Sequence, residues 1–355
     1  MGVEALIREA IEDHGPITFA EFMELALYGP GGFYERAPVG AEGEFVTSPH
    51  VHHVFADLLA GAIRELWELL GRPEPFEIAE AGAGDGTLAR RLEEALADVQ
   101  LAYTAIERSP EAREALRAVE GLAVSESLPR GAHVVLANEL LDNLPFRIVR
   151  GTAEVRVGFE DARFVEVPTP LDDELLVRAS GLGREEERIV PAGALGFVEA
   201  LSRTLAGGSG YALLIDYGGV GSPGGEVHGY RAHRVVEDVL EDPGSADITS
   251  GVDFAVVTAR AAELGLEVFP TATQRRALLA LGFEQWARSE LDRQRRLPDE
   301  GAGLDAVRAW GGRSRATLLV DPAALGRLRW LLLATPGLPQ PAWLGRALEN
   351  RPPAD

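Results

Sequence analysis

The run Glu80-Ala81-Gly82-Ala83-Gly84-Asp85-Gly86-Thr87 is where this sequence first concentrates residues that could do chemistry. Glycine at alternate positions permits a tight turn and lets a ligand lie close against the backbone. Where a helix follows, its first N–H groups are free to meet an anion or another acceptor. The spacing is G-x-G-x-G with an acid two residues ahead, whereas a dinucleotide pyrophosphate loop uses G-x-G-x-x-G. Glu107 follows the glycines by about 20 residues, the separation at which a carboxylate accepts from ribose hydroxyls. These residues point to an adenosine-containing cofactor. A ligand-free tight turn and a surface acid at a strand end are the plainer alternatives. A third group, Asn138, Glu139 and Asp142, closes an apolar run. Helix capping would account for Asn138 or Asp142. Glu139 is harder to explain as a cap and could orient a basic acceptor or take its proton.

Such residues need strands and helices to hold them. Apolar runs at 75–80, 101–107, 122–126 and 133–139 predict strands, with helices over 87–97 and 110–118 between them. That alternation implies parallel βαβ units in an open, doubly wound sheet, with ligands at the carboxyl edge of the strands. Residues 211–217, 265–270 and 329–334 extend the sheet to about seven strands. Three alternating segments over 147–175 predict an antiparallel insertion. Helices are expected over 52–70, 192–205, 253–264 and 273–281, and a polar helical stretch to about 320. Residues 218–250 read as glycine-rich loop with a helix, and 1–26 as two helices broken at Gly15-Pro16. The expected organisation is an α/β Rossmann-like core over 73–146, 207–217 and 253–335. An N-terminal segment, 1–72, would line the cofactor cleft. Insertions over 147–206 and 218–252 would form a smaller substrate lobe, and 336–355 a loosely packed tail. The apolar Trp330–Leu333 run is compatible with a homodimer face or with a core strand.

Composition removes several kinds of chemistry. The 355 residues contain no cysteine, and all 34 basic residues are arginine. Thiol nucleophiles, zinc–cysteine sites, disulfides, a Walker-type lysine and a lysine Schiff base are therefore excluded. A net charge of −22 argues against a nucleic-acid partner and suits a basic peptide drawn in electrostatically. No run approaches the ~20 apolar residues of a membrane span. The acidic start, MGVEALIREAIEDHG, is unlike a secretory or mitochondrial leader, so a cytoplasmic protein is expected. His50, His52 and His53 have no matching acid cluster, so exposed imidazoles at a helix start are expected there and no metal.

With these residues assembled, the sequence resembles the MidA-like family, whose members include a mitochondrial complex I assembly factor that methylates protein arginine. The matches are ordered along nearly the whole chain: Gly15-Pro16-Ile17, Pro30-Gly31-Gly32-Phe33-Tyr34, Gly43-Glu44-Phe45-Val46-Thr47-Ser48-Pro49, the 80–87 loop, Asn138-Glu139 with Asp142 and Leu144-Pro145, Ile215-Asp216-Tyr217-Gly218, Tyr230 with His233, Asp247-Ile248-Thr249, Val252-Asp253-Phe254 and Thr273-Gln274. The resemblance implies a Rossmann-like methyltransferase using S-adenosyl-L-methionine. It implies a cofactor site at Thr47, Ser48, Glu80, Gly82, Ala83, Gly84, Gly86, Thr87, Glu107 and Asn138. Glu139 and Asp142 would then hold and deprotonate a guanidinium, and His233 or Glu139 would serve a hydroxyl or acid acceptor. Two departures border the expected cofactor entrance. His50 and His52 stand where the family has Glu and Ser, and Arg90-Arg91 where it carries an acid. A small-molecule methyltransferase, a non-catalytic assembly factor and a nicotinamide-dependent oxidoreductase remain the alternatives.

Overall fold

The computed structural model describes residues 2–36, 47–119, 121–171, 187–221, 226–231, 234–296 and 303–349. Its main sheet has eight strands: β1 (Phe76–Ala81), β2 (Leu101–Ile106), β3 (Ala123–Ser125), β4 (Val134–Asn138), β5 (Tyr211–Asp216), β6 (Glu267–Val268), β7 (Ala272–Thr273) and β8 (Arg329–Ala334). The order is β6-β8-β5-β4-β1-β2-β3, with β7 also on β8. From β3 to β5 all pairings are parallel, and β8 runs antiparallel to β5, β6 and β7. The chain proceeds outward from β1 through β2 and β3, then returns to place β4 on β1's other side. The order therefore reverses between β1 and β4, and it is outside this reversal that open α/β sheets bind ligands. Glu80–Thr87 leaves β1 and Asn138–Asp142 leaves β4 at that point.

The sheet forms where apolar residues run without interruption, because both faces are covered. Every residue of β5 is buried. One face packs on Val54–Leu69, Thr87–Ala95 and Gln274–Ala280, the other on Ala192–Leu205 and Phe254–Glu263. In Val54–Leu69 the buried Val54, Phe55, Leu59, Ala62, Ile63 and Leu66 recur at helical spacing, and Gly71 at φ 82° ends the run.

A second, five-stranded sheet joins Ile17–Thr18 to the antiparallel insertion Arg147–Arg150, Ala153–Glu160, Arg163–Pro170 and Glu187–Val190. Helices Val3–His14 and Phe19–Tyr28 pack on it, the second opened by a Thr18–Glu21 capping box. Glu154 is fully buried there, its carboxylate accepting from Arg147 Nε at 2.6 Å and Arg156 Nε at 2.9 Å.

Three sequence expectations fail. The described part of 218–250 holds no helix but short strands, His228–Arg231, Arg234–Val236 and Asp247–Thr249, with Gly218–Gly219 paired to Val252–Asp253. Glycine is needed at 218, where a Cβ would meet Val252 O at 2.0 Å. The strand expected over 265–270 shrinks to Glu267–Val268. The described part of the tail, 336–349, is not loose. Ala342–Glu349 is a helix whose Trp343, Leu344 and Ala347 are buried, and Trp343 packs edge-on to Trp330 at 5.6 Å. Glu65 accepts from Ala342 N–H and Trp343 N–H at the start of that helix. Trp330–Leu333 is a fully covered core strand, which removes it as a dimer face.

Candidate functional site

The 80–87 loop is built for close backbone approach. Gly82, Gly84 and Gly86 have φ of 72°, 57° and 73°, the left-handed region that side chains disfavour. A Cβ at Gly86 would also lie 2.8 Å from Leu116 Cδ2. Gly82 and Ala83 donate to Ile106 O at 2.9 and 3.2 Å, which ties the loop to the end of β2. Glu107, the first residue past β2, closes the loop from the other side. Its carboxylate accepts from Gly84 N–H at 3.1 Å, Arg108 N–H at 2.7 Å and Ser109 N–H at 3.1 Å. Asp85 accepts from Thr87 N–H at 3.0 Å and Thr87 Oγ1 at 2.9 Å, supplying the cap that Gly86 cannot give. Glu80 is buried and takes the Tyr103 hydroxyl at 2.8 Å. Burial pushes its carboxyl up to about 8 against the opposing bond from Tyr103.

The β4 exit gathers the acids. Asn138 ends the strand and Glu139 sits at φ 53°, a conformation a non-glycine residue adopts only when its surroundings impose it. Glu139 N–H donates to Ile215 O at 2.7 Å, and its Oε1 accepts from Ser48 N–H at 2.8 Å and Asn138 Nδ2 at 3.2 Å. Burial raises the Glu139 carboxyl, and those bonds and His50 only partly offset it. The turn that follows is clamped from β5. Leu140, Leu141 and Asp142 donate their backbone N–H to Asp216 Oδ2 at 3.1, 2.6 and 3.3 Å, and Tyr217 N–H donates to Oδ1 at 2.6 Å. Asp216 is completely buried, and burial carries it up to about 7 despite the four donors. Asp142 is raised well above the usual carboxylate range, first by burial and then by Asp216, Asp247 and Glu139 around it. Among the described residues, two acceptor atoms here are cut off from solvent and meet no donor: Asn138 Oδ1 and Asp142 Oδ1. Buried polar atoms are nearly always satisfied, so such a pair needs an explanation.

The N-terminal segment braces both halves. Ser48 Oγ exchanges with the buried Gln274 amide at 3.3–3.4 Å, and that amide also binds Leu319 O at 3.2 Å and Trp330 Nε1 at 3.3 Å. His50 bridges Thr47 Oγ1 at 2.8 Å and Asp85 Oδ2 at 3.1 Å. Its side chain is 10% exposed, so the expectation of an exposed imidazole fails at this position. Asp85 is held low: burial raises it, and the bonds from His50 and Thr87 outweigh that. Tyr34 donates to Asp247 Oδ1 at 2.9 Å and Asn143 Nδ2 to Asp247 Oδ2 at 2.8 Å, while Ser109 Oγ reaches Tyr34 O at 3.1 Å.

The structure thus brings Thr47, Ser48, Asn138, Glu139 and Asp142 together at one end of the sheet reversal. Gly82, Ala83, Gly84, Gly86, Thr87 and Glu107 meet at the other, and Ala83 is buried. His233 lies outside the described residues. Sequence reasoning does not single out Asp216, Asp247, Gln274 or Asp85 as site residues. The first three contact the site from 74 to 226 positions away in the chain. Their sequence signals are a polar residue closing or interrupting an apolar run and a place in the motifs Ile215–Gly218, Asp247–Thr249 and Thr273-Gln274, neither of which says what they bind.

Comparison with known proteins places this geometry in a family. The mouse mitochondrial protein arginine methyltransferase NDUFAF7 is 29% identical over 291 residues, 69% of this chain and 66% of that protein. Its fruit-fly homologue is 28% identical over 382 residues, 94% of this chain and 84% of that one. A Burkholderia thailandensis protein crystallised with S-adenosyl-homocysteine superposes with a TM-score of 0.78 at 27% identity, covering 95% of this chain and 92% of the other. The cytoplasmic location expected from the acidic N-terminus is contradicted by the curated relatives, which are mitochondrial. In Val3–His14, Val3 and Ile7 are buried, so the charge pattern there is that of a packed helix and does not report location. Residues 58–271 match the family model described as "putative S-adenosyl-L-methionine-dependent methyltransferase", and the chain belongs to that family of S-adenosyl-L-methionine-dependent methyltransferases.

Proposed function

We propose that this methyltransferase modifies an arginine side chain of a protein. The observation that carries the reading is the pair of buried, donor-less oxygens, Asn138 Oδ1 and Asp142 Oδ1, set among Glu139, Asp216 and Asp247. A guanidinium brings five N–H donors and a permanent positive charge. It supplies what both oxygens lack and offsets the crowding of carboxylates. The relatives' names, protein arginine methyltransferase, point the same way.

The residues of the loop fit the cofactor. Left-handed backbone at Gly82, Gly84 and Gly86 allows close approach, and the Glu107 carboxylate retains acceptor capacity beyond its three backbone bonds for the ribose hydroxyls. When bound, S-adenosyl-L-methionine supplies an electrophilic methyl group. The rest falls to the chain. Methyl transfer is an in-line displacement, so holding the acceptor nitrogen in line is the main requirement. Asp142 and Asn138 would fix the guanidinium, and Asp216 would fix Asp142 by clamping its turn. Glu139, raised by burial, is the proton acceptor as the new N–C bond forms.

The test is transfer of labelled methyl from S-adenosyl-L-methionine to arginine peptides, to the same peptides carrying lysine, and to a panel of small amines, alcohols and acids. Methylarginine alone supports the reading. Label confined to a small molecule would overturn it.

A further inference from the structure

We infer that the fold also carries an oxyanion-binding site beside the acceptor site, and that its occupant is a carboxylate of the acceptor chain itself. The inference rests on the arginine-acceptor reading for its occupant, not for the site. A cavity of about 600 Å³ opens at the end of β5 and β8, lined among others by Gly219, Val220, Thr271, Thr273, Arg276 and Arg329. Arg329 faces Thr273 on one neighbouring strand and Asp216 on the other.

Three observations make this cavity more than a dent in the surface. Among the described residues, Arg329 Nε is buried and has no acceptor. Asp216, its partner across the sheet, does not serve it: the bonds its carboxylate accepts come from the backbone N–H groups of 140–142 and 217. Nearby, Arg327 lies over the Tyr217 ring at 4.5 Å, so further positive charge is packed on an aromatic rather than on a carboxylate. Arg276 turns one nitrogen, Nη2, to Leu348 O at 3.1 Å, which fixes its fork at the cavity wall. In a chain with 56 acidic and 34 basic residues, Arg329, whose Nε meets no acceptor among the described residues, is an arginine that an outside acid can use. The guanidinium fork matches a carboxylate or phosphate with two parallel bonds.

The choice of occupant follows from electrostatics. A net charge of −22 weakens the binding of free anions. A carboxylate tethered to a cation that the Glu139–Asp142–Asp216 group attracts is delivered in spite of it. Asp216 stands between the two sites, bonded to Asp142 N–H on one side and paired across the sheet with Arg329 on the other. The acceptor that fits both is a segment with an acidic residue close to its arginine.

Two measurements on the full chain decide this. In the first, inorganic phosphate is titrated at constant ionic strength and followed by phosphorus line width, with Arg329→Met and Arg329→Lys beside the wild type. Saturable broadening, lost in R329M and kept in R329K with both variants folded by circular dichroism, is expected. Equal behaviour of wild type and R329M overturns the site. In the second, arginine peptides carrying glutamate or glutamine beside the arginine are compared as substrates. The glutamate peptide should have a KM lower by about tenfold in the wild type, with kcat unchanged and no difference in R329M. Equal KM values in the wild type overturn the carboxylate occupant. If no arginine peptide is methylated, the acceptor reading fails with it, and the phosphate titration still judges the site.

Discussion

Glu139 stands at φ 53°, and its conformation shows what the acidic group costs. A non-glycine residue in the left-handed region is disfavoured by roughly 1–2 kcal/mol, and here the neighbours impose it. Ile215 O holds its N–H, Ser48 and Asn138 hold its carboxylate, and Asp216 fixes the three residues after it. Asp216→Asn replaces an acceptor oxygen by an NH2 facing backbone donors. It should lower stability by about 1–3 kcal/mol, read as a lower Tm, because buried donors lose their acceptor. An unchanged Tm would mean the clamp is not a structural bond. Glu80 gives a pH prediction. Its folded pKa of about 8 lies above the ordinary 4.5, so the native state holds a proton the unfolded chain releases. The contribution of Glu80 to stability is therefore fully present below about pH 4.5 and is lost as pH rises through about 8. Glu80→Gln keeps an acceptor for Tyr103, and should flatten the Tm-against-pH slope between these limits. A slope equal to the wild type's would contradict the assignment. At this scale the sequence displays the glycines, Glu107, Asn138, Glu139 and Asp142, because local spacing marks them. Asp216 and Gln274 act across the fold, and no local pattern records what they bind.

The strands around the sheet reversal are legible because a buried parallel strand must be apolar throughout and bounded by turn residues. β1, β2, β4, β5 and β8 each fall within two residues of their apolar run. The failures come where the stabilising partner is far away. The tail is rich in glycine and proline and reads as loose, but Trp343 is buried against Trp330, and Glu65 caps its helix from another element. Trp343→Ala should cost about 3–5 kcal/mol, the range for removing a buried large aromatic. Thermal or denaturant unfolding checks it, and a loss below about 1 kcal/mol would show that the tail contributes little to the core. Residues 218–250 mislead differently. Their helical-looking positions are used as short β-branched strands, and Gly218 is required by contact with Val252 rather than by any loop.

Taken whole, the molecule sets the proposed acceptor site, itself acidic, in a strongly acidic body. Binding of a cationic acceptor should therefore be steered by charge. Raising ionic strength from about 0.05 to about 0.5 M shortens the screening length severalfold. It should lower kcat/KM for an arginine peptide while leaving kcat nearly constant. Salt-independent kcat/KM would argue for an uncharged acceptor. The N-terminal residues belong to this account as structure. Thr47, Ser48 and His50 tie the glycine loop, Gln274 and Glu139 into one frame, so the proposed cofactor and acceptor halves would be positioned together. The central claim is that Glu139 takes the proton from a bound arginine. Its most direct test is methyl transfer to an arginine peptide by wild type and Glu139→Gln, both saturated with S-adenosyl-L-methionine. Loss of at least about a hundredfold in kcat by the variant is the predicted result. Transfer at the wild-type rate would contradict the account.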